Sequence, residues 1–243
     1  MPLVTHLPFL LIAVALLLPV AEAAAATPGR DDASDQSYAK RPAWTSGENG
    51  GSGFLGWNLV GSGEAADARG FRIAQSRSFG ADSEGPGELA FSMFANGKDA
   101  SAEAYRTFDA PLDVGQIFSV DIAVNFRSGI RGLDLRAGAS NSERVLFNFN
   151  VGMDDYVVNK ASTGNGSLGA AYHDHTFFTL SFRQSHPGSG DWTVSRQGGI
   201  ESESAGTYEG RAAGVKFYVI ETDGGKENEL WVNNLTISTA PAP

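Results

Sequence analysis

The alternation of apolar and polar residues is the strongest signal along this chain. Between residues 116 and 126, apolar side chains recur at every second position: Phe118, Val120, Ile122, Val124 and Phe126. A period of two places these residues on one face of a strand, whereas a helix has a period of 3.6. The segment is therefore predicted to be a β-strand that buries one face and presents the other to water or to a ligand.

Similar alternations recur over the rest of the chain. They predict strands at 71–75, 89–95, 102–108, 130–137, 144–151, 155–159, 175–184, 191–196, 200–208, 215–220 and 229–238. The dipeptide Asn96-Gly97 predicts a tight turn between two of these strands. A shift of the apolar phase at Asn233-Asn234 predicts a β-bulge in the last one. About a dozen strands without a long helix predict an all-β fold, either an antiparallel two-sheet jelly roll or a barrel.

The N-terminal residues have the composition of a secretory signal. An apolar run over 7–20 is followed by Ala21-Glu22-Ala23, a small-x-small cleavage site, with later alanines as alternative sites. The run is shorter than the roughly 20 residues that a transmembrane helix needs, so an uncleaved membrane anchor is the less favoured alternative. We expect a secreted, extracellular protein without a stable membrane span after cleavage. The predicted divisions are a signal peptide at 1–26, an acidic N-terminal segment at 27–43, a single β-sandwich domain at 44–239 and a C-terminal tail at 240–243.

Composition excludes several classes of function. The formal net charge of −10 argues against binding to nucleic acid or to an anionic membrane. The chain has no cysteine, which excludes disulfides, thiolate catalysis and cysteine-ligated metals. The 30 glycines and the low charged fraction of 19% are typical of short strands joined by turns.

The stretch 44–59, WTSGENGGSGFLGWNL, places a glycine-rich turn between two tryptophans. Glycine permits positive φ and close backbone approach, and tryptophan carries a large apolar area. The favoured interpretation is that Trp44 and Trp57 close one end of a β-sandwich core. The alternative is that one of them is exposed for stacking on a sugar.

Three segments together resemble a group of secreted bacterial β-sandwich domains. They are 31–59 (DDASDQSYAKRPAWTSGENGGSGFLGWNL), 114–126 (VGQIFSVDIAVNF) and 229–238 (ELWVNNLTIS). Many such domains stand in extracellular proteins with a PEP-CTERM sorting tail, and they are similar to the concanavalin A-like lectin/glucanase jelly roll. The resemblance implies that fold for this chain. After Ser238 the chain reads TAPAP instead of a PEP-CTERM tail, so release outside the cell is expected rather than membrane sorting.

Carbohydrate binding is the best-supported chemistry, because it uses aromatic faces together with amide and carboxylate hydrogen bonds. The polar faces of the predicted strands supply Asp121, Asn125, Asn148 and Asn150, and the loops place Trp192 and Tyr156 as aromatic residues at the rim. The alternative is that Trp192 belongs to the core and that the asparagines only solvate an exposed sheet.

The acidic cluster Asp31, Asp32 and Asp35 is the candidate metal site. Closely spaced carboxylates in a loop are typical of calcium ligation, so a structural calcium ion is expected there. The alternative is a solvated linker.

Signals for catalysis are weak. Glu201 and Glu203 form the nearest pair of carboxylates on one strand face, without a neighbouring aromatic platform. His173 and His175 could ligate one metal from a strand, but no third ligand is evident. The favoured function is a secreted, non-catalytic module that binds a polysaccharide or cell-surface glycan. The alternatives are a structural matrix protein without a small ligand and, further behind, a glycan-active hydrolase or lyase.

Overall fold

A computed structural model describes residues 26–38, 43–63, 68–75, 89–124, 129–138, 143–152, 155–169, 176–223 and 229–239. Most of the predicted signal peptide and the predicted tail therefore lie outside the described residues. Among those residues, no helix is long and apolar enough to cross a membrane.

The described chain consists almost entirely of strands. The one helical element within these ranges is a single 3-10 turn at Gln36–Tyr38. The strands are β1 (Gly29–Asp31), β2 (Asn58–Ser62), β3 (Arg69–Gln75), β4 (Leu89–Ala95), β5 (Ser101–Thr107), β6 (Gln116–Val124), β7 (Ile130–Arg136), β8 (Val145–Asn150), β9 (Val157–Lys160), β10 (Gly166–Ser167), β11 (Thr176–His186), β12 (Ser189–Gln197), β13 (Ser202–Glu209), β14 (Gly214–Ile220) and β15 (Leu230–Thr239).

These strands form two antiparallel sheets. The eight-stranded sheet has the order β13-β12-β11-β6-β15-β4-β3, and β1 pairs with β15 beside this path. The seven-stranded sheet has the order β10-β9-β8-β7-β14-β5-β2. The prediction of an all-β, antiparallel two-sheet β-sandwich is confirmed.

The core lies between the two sheets. On β6, Phe118, Val120, Ile122 and Val124 are all buried, as the alternation predicts, and Phe126 lies outside the described residues. Aromatic rings from the two sheets meet edge to face: Phe147 contacts Phe182 at 4.9 Å between centroids, and Phe149 contacts Phe178 at 5.0 Å. Such pairs add about 0.5–1.5 kcal/mol each to the stability gained by burial.

The glycine-rich stretch folds its two tryptophans into this core. Trp44 and Trp57 are both buried and pack edge to face with centroids 4.8 Å apart. Gly50 in the same stretch makes room for the buried ring of Tyr38, which a Cβ at that position would overlap. The core interpretation is confirmed, and the alternative of an exposed tryptophan at 44 or 57 is wrong.

The predicted bulge in the last strand is also present. The pairing of β15 with β6 shifts between Asn233 and Thr236, and Asn234 adopts a positive φ of 51°. Before the bulge β15 pairs with β4, and after it β15 pairs with β1. The buried side chain of Asn233 joins these two neighbours: it accepts the Ala33 N–H and donates to the Leu89 carbonyl, both at 2.9 Å.

Candidate functional site

The residues predicted to bind sugar do not form one site. Asp121 lies on β6 of the eight-stranded sheet, and Asn148 and Asn150 lie on β8 of the seven-stranded sheet. All three alternate with core residues, so they point outward from opposite sides of the sandwich. The prediction of a single site is therefore wrong, and Asn125 lies outside the described residues.

The two predicted rim aromatics belong to the core. Trp192 is only 1% exposed, packs against Phe147 with centroids 5.0 Å apart, and donates its indole N–H to the Thr163 carbonyl at 3.2 Å. Tyr156 is fully buried beneath the guanidinium of Arg196, which lies 4.6 Å from the ring centroid. Neither ring is available to stack on a sugar, so the rim prediction is wrong and the core alternative for Trp192 is confirmed.

The three aspartates of the acidic segment do not converge either. Asp31 is buried at the end of β1, where it pairs with Arg106 at 2.6 Å and accepts the Tyr38 hydroxyl at 2.7 Å. Burial raises the pKa of the Asp31 carboxyl, against the pull of the Arg106 charge. Asp31 is therefore part of the buried interior. The described residues around it, with β1 and the buried Tyr38, are not a solvated linker.

The carboxylates of Asp32 and Asp35 accept hydrogen bonds from residues of their own loop. Asp32 accepts the backbone N–H of Ser34 at 2.7 Å, and Asp35 accepts the backbone N–H of Ser37 at 2.8 Å. Hydrogen bonds from Ser37 hold the pKa of the Asp35 carboxyl below its usual range. Within the described ranges, no group of three or more Asp, Glu or His residues could hold a metal ion. The predicted three-aspartate metal site is therefore wrong, because Asp31 turns into the core.

These two aspartates do line a surface depression. It has a volume of about 430 Å³ and is bordered by Arg30, Asp32, Ser34, Asp35, Gly50, Gly51 and Ser52. Its lining is polar and consists of loop residues from the N-terminal segment and the glycine-rich stretch.

A denser set of polar side chains lies on the outer face of the seven-stranded sheet. The strand register aligns Tyr105, Lys216, Asp134 and Asn148 across β5, β14, β7 and β8. The adjacent line contains Glu103, Tyr218, Gly132 and Asn150 on the same four strands. We call these eight residues the two polar rows. Neighbouring strands are about 4.8 Å apart, so each row extends roughly 14 Å across the sheet.

Lys216 is the centre of the charges in these rows. Its ammonium nitrogen lies 3.2 Å from an oxygen of Glu103 and 3.2 Å from an oxygen of Asp134. Arg136 lies two residues after Asp134 on β7, outside the two polar rows. It is 3.5 Å from the same Asp134 oxygen and donates to the Glu143 carbonyl at 2.6 Å. The two carboxylates and the two cations thus balance in charge.

Tyr218 lies across the sheet rather than standing away from it. Its hydroxyl oxygen is 2.7 Å from the place that a Cβ of residue 132 would take, so Gly132 makes room for the ring. That oxygen accepts an amide N–H of Asn148 at 2.8 Å and is also hydrogen-bonded by Asn150. Burial raises the pKa of Tyr218 to about 12. The hydroxyl is therefore protonated at neutral pH, and its own proton can be donated to a ligand.

Tyr105 and Asn148 complete the hydrogen bonding of the rows. The Tyr105 hydroxyl donates to Glu103 at 2.7 Å, and burial raises the pKa of that hydroxyl. Asn148 donates to Asp134 at 2.8 Å and accepts the side-chain amide of Asn159, on β9, at 3.1 Å. The functional groups are therefore held in fixed positions by one another.

Exposed apolar side chains border the rows on the same face. Val60 on edge strand β2, in register with Glu103, is 46% exposed. Ile130 on β7 is 42% exposed and pairs with Ile220 on β14. A ligand that lies on this face would meet fixed hydrogen-bonding groups and apolar surface together.

Sequence reasoning found Asn148 and Asn150 but missed Asp134 beside them on β7 and the four residues further along the rows on β14 and β5. The signal was present, because Glu103 and Tyr105, like Lys216 and Tyr218, are polar positions that alternate with core residues. What the sequence did not provide was the strand order that brings β5, β14, β7 and β8 side by side.

Comparisons with known proteins give only distant similarities. No protein-family model and no curated protein matches the chain. A legume lectin-like domain from Entamoeba histolytica is 12% identical, with a TM-score of 0.44 over 76% of this chain and 90% of that one.

A family 11 carbohydrate-binding module from Clostridium thermocellum, in complex with a β-1,3-1,4-mixed-linked tetrasaccharide, is 10% identical, with a TM-score of 0.33 over 76% of this chain and 89% of that one. Lectin I-B4 from Griffonia simplicifolia, in its metal-free form, is 9% identical, with a TM-score of 0.36 over 76% of this chain and all of that one. Similarities at this level assign no ligand. The two-sheet sandwich rests on the strand pairing itself.

Proposed function

We propose that this protein is a secreted, non-catalytic carbohydrate-binding module that holds its glycan on the two polar rows. The observation that carries the proposal is the alignment of Tyr105, Lys216, Asp134 and Asn148 across four strands, beside an exposed apolar margin. Secretion is proposed from the apolar run and cleavage pattern of the N-terminal residues.

Sugars suit this surface for two chemical reasons. Each sugar hydroxyl both donates and accepts hydrogen bonds, so it can pair with carboxylate oxygens and with the Tyr218 O–H alike. The C–H faces of a sugar ring are apolar and would contact Val60 and Ile130. Because the polar groups are already fixed by one another, binding costs little ordering of side chains.

The geometry does not favour hydrolysis. A glycosidase needs two carboxyl groups across the scissile bond, one of which delivers a proton. Glu103 and Asp134 instead share the ammonium of Lys216. Glu201 lies just before edge strand β13, Glu203 lies on it, and both are exposed. The four tryptophans and Tyr156 are all buried, so none of them offers a free ring beside these carboxylates.

The test is a binding measurement with a panel of polysaccharides, by calorimetry and by thermal melting. Tyr218→Phe removes one hydroxyl from the rows and should weaken binding about three- to tenfold, the effect of one hydrogen bond. Thr193→Val removes a hydroxyl from the outer face of the opposite sheet and should leave the affinity unchanged. If no polysaccharide binds or raises the melting temperature, the proposed function fails, and a matrix protein without a small ligand becomes the better explanation.

The structural calcium ion stays a prediction without an assigned site, because the predicted cluster of Asp31, Asp32 and Asp35 does not form. The same melts, repeated with calcium and with chelator, test it. An ion that binds only the folded state stabilises by about 2.7 kcal/mol at a hundredfold excess over its dissociation constant. Equal melting temperatures with calcium and with chelator would remove the ion from the proposal.

A further inference from the structure

The charges of the two polar rows carry a further inference about the ligand, which rests on the proposed function. Both central cations are already engaged by carboxylates. Lys216 lies between Glu103 and Asp134 at 3.2 Å from each, and Arg136 contacts Asp134 and the Glu143 carbonyl. All three side chains of the Lys216 cluster are largely shielded from water, with exposures of 14% for Lys216, 18% for Glu103 and 9% for Asp134.

An anionic sugar would find no suitable partner at this centre. The ammonium of Lys216 has three N–H donors, so a uronate or sulfate group would either approach the third one, where it faces both carboxylates, or displace Glu103 or Asp134 from the ammonium. The displaced carboxylate would then lose its counter-charge in a site with little access to water, which is costly. The approaching anion would also face the second carboxylate at close range, and like charges there repel strongly.

A neutral sugar meets no such penalty. Its hydroxyls can accept a hydrogen bond from the Tyr218 O–H and donate to the remaining lone pairs of Glu103 and Asp134 while both ion pairs remain intact. The overall charge of −10 acts in the same direction, because it lowers the concentration of polyanions near the protein.

One more cation lies near this face. Lys160 is exposed on β9, next to Asn148 in the strand register. An exposed lysine at a sheet edge contributes little on its own, since solvent and salt screen its charge. It therefore does not change the balance at the centre of the rows.

We propose that the outer face of the seven-stranded sheet selects neutral glycans and rejects glycans that carry carboxylates or sulfates. The selection comes from the carboxylates of Glu103 and Asp134, which occupy Lys216 and repel anions.

The test uses the whole protein and a matched pair of ligands. The neutral polysaccharide that binds best in the panel is compared with its own carboxymethylated derivative, which has the same backbone, at low and at physiological salt. Wild-type protein should bind the neutral form at least about tenfold more tightly than the carboxymethylated form, and the difference should shrink as salt rises.

A double variant then tests the cause. Glu103→Gln with Asp134→Asn keeps the size of both side chains but frees Lys216, and it should gain binding to the carboxymethylated form by about tenfold at low salt. Asp191→Asn with Glu203→Gln makes the same change in net charge at exposed positions of the opposite sheet and should gain nothing.

The outcomes separate the two proposals. Equal or tighter binding of the carboxymethylated form by the wild-type protein overturns the selection for neutral glycans while leaving carbohydrate binding in place. A gain shown equally by both double variants also overturns it, because net charge alone would then explain the effect. Absence of binding to every neutral and acidic polysaccharide sinks the proposed function itself.

Discussion

Asp121 shows how one buried carboxyl can make stability depend on pH. It lies on the outer face of β6, is nearly inaccessible to water, and is bonded by Thr179 at 2.7 Å and by Asn234 at 2.9 Å. Burial raises its pKa to about 6, although the hydrogen bond from Thr179 acts to lower it. The folded state therefore holds this proton more tightly than the unfolded chain, whose carboxyl titrates near pH 4.

The sign of the effect follows from that difference. The contribution to stability is fully present below about pH 4 and is lost as the pH rises through about 6. Between pH 4 and pH 7, ionisation of Asp121 should lower the free energy of unfolding of the wild-type protein by about 2–3 kcal/mol, in addition to changes caused by other groups. Asp121→Asn should not show this decrease. Urea unfolding at a series of pH values measures this. Parallel pH profiles for wild-type and variant protein would show that Asp121 does not titrate in this range.

Asp31 and Arg106 illustrate a buried pair whose members depend on each other. Arg106 is fully buried, contacts Asp31 at 2.6 Å and lies 4.8 Å from the ring centroid of Trp57. Replacement of Asp31 by Ala leaves the guanidinium buried without its counter-charge, which should reduce the free energy of unfolding by about 3–5 kcal/mol.

The control for this pair removes both charges. Asp31→Leu combined with Arg106→Met should be clearly more stable than Asp31→Ala alone, because no uncompensated charge remains. Denaturant unfolding compares the two variants. If the double variant is as unstable as the single one, packing around the pair and not its charge accounts for the loss.

At the scale of elements, the bulge of β15 is a junction between three strands. Asn233 bonds both Ala33, next to β1, and Leu89, the first residue of β4. Replacing Asn233 by Ala removes the side-chain partner of a buried N–H and of a partly buried carbonyl, so we expect a loss of about 2–4 kcal/mol in unfolding free energy. Hydrogen exchange at Ala33 should rise more than exchange in β6.

An exposed asparagine provides the comparison. Asn58 on edge strand β2 is exposed, and Asn58→Ala should change stability by less than about 0.5 kcal/mol. Similar effects of the two alanine variants would mean that the amide of Asn233 does not hold the junction together.

The strands were predictable from sequence because alternation is a local property. Phe118 to Val124, Phe147 and Phe149 took the inward positions that their spacing indicated, and Asn148 and Asn150 took the outward ones. The same rule could have placed Trp192, which alternates with Val194 and therefore points inward. Its position after a glycine-rich loop was the misleading cue.

The site was not predictable to the same degree, because strand order is not local. Asp121 and Asn148 have the same alternating context, yet they lie on opposite sheets. Asp31 was misread for a related reason. Its partner Arg106 lies on β5, far away in the sequence, so the acidic run gave no sign that one of its members was buried.

At the scale of the whole molecule, the two outer faces differ in chemistry. The seven-stranded sheet carries the two polar rows with an apolar margin, whereas the eight-stranded sheet presents hydroxyl side chains such as Thr193, Ser181 and Ser119. Charged side chains such as Asp191 and Glu203 also lie on the eight-stranded sheet, but they are exposed and do not form a shielded cluster like that of Lys216 with Glu103 and Asp134. The proposal of a glycan site is therefore specific to one side of the sandwich, and the controls for binding, at Thr193, Asp191 and Glu203, lie on the other.

The ladder between β1 and β15 also has a mechanical consequence. Gly29 pairs with Ile237 and Asp31 with Leu235, so the strands run antiparallel with their outer ends at the same side. Tension applied to the chain before Gly29 and after Thr239 would act in an unzipping geometry, so the pairs would be loaded one after another and not all at once. The first pairs should therefore part at low force, and peeling should stall at Asp31, where the buried contact with Arg106 must break before the sandwich opens further.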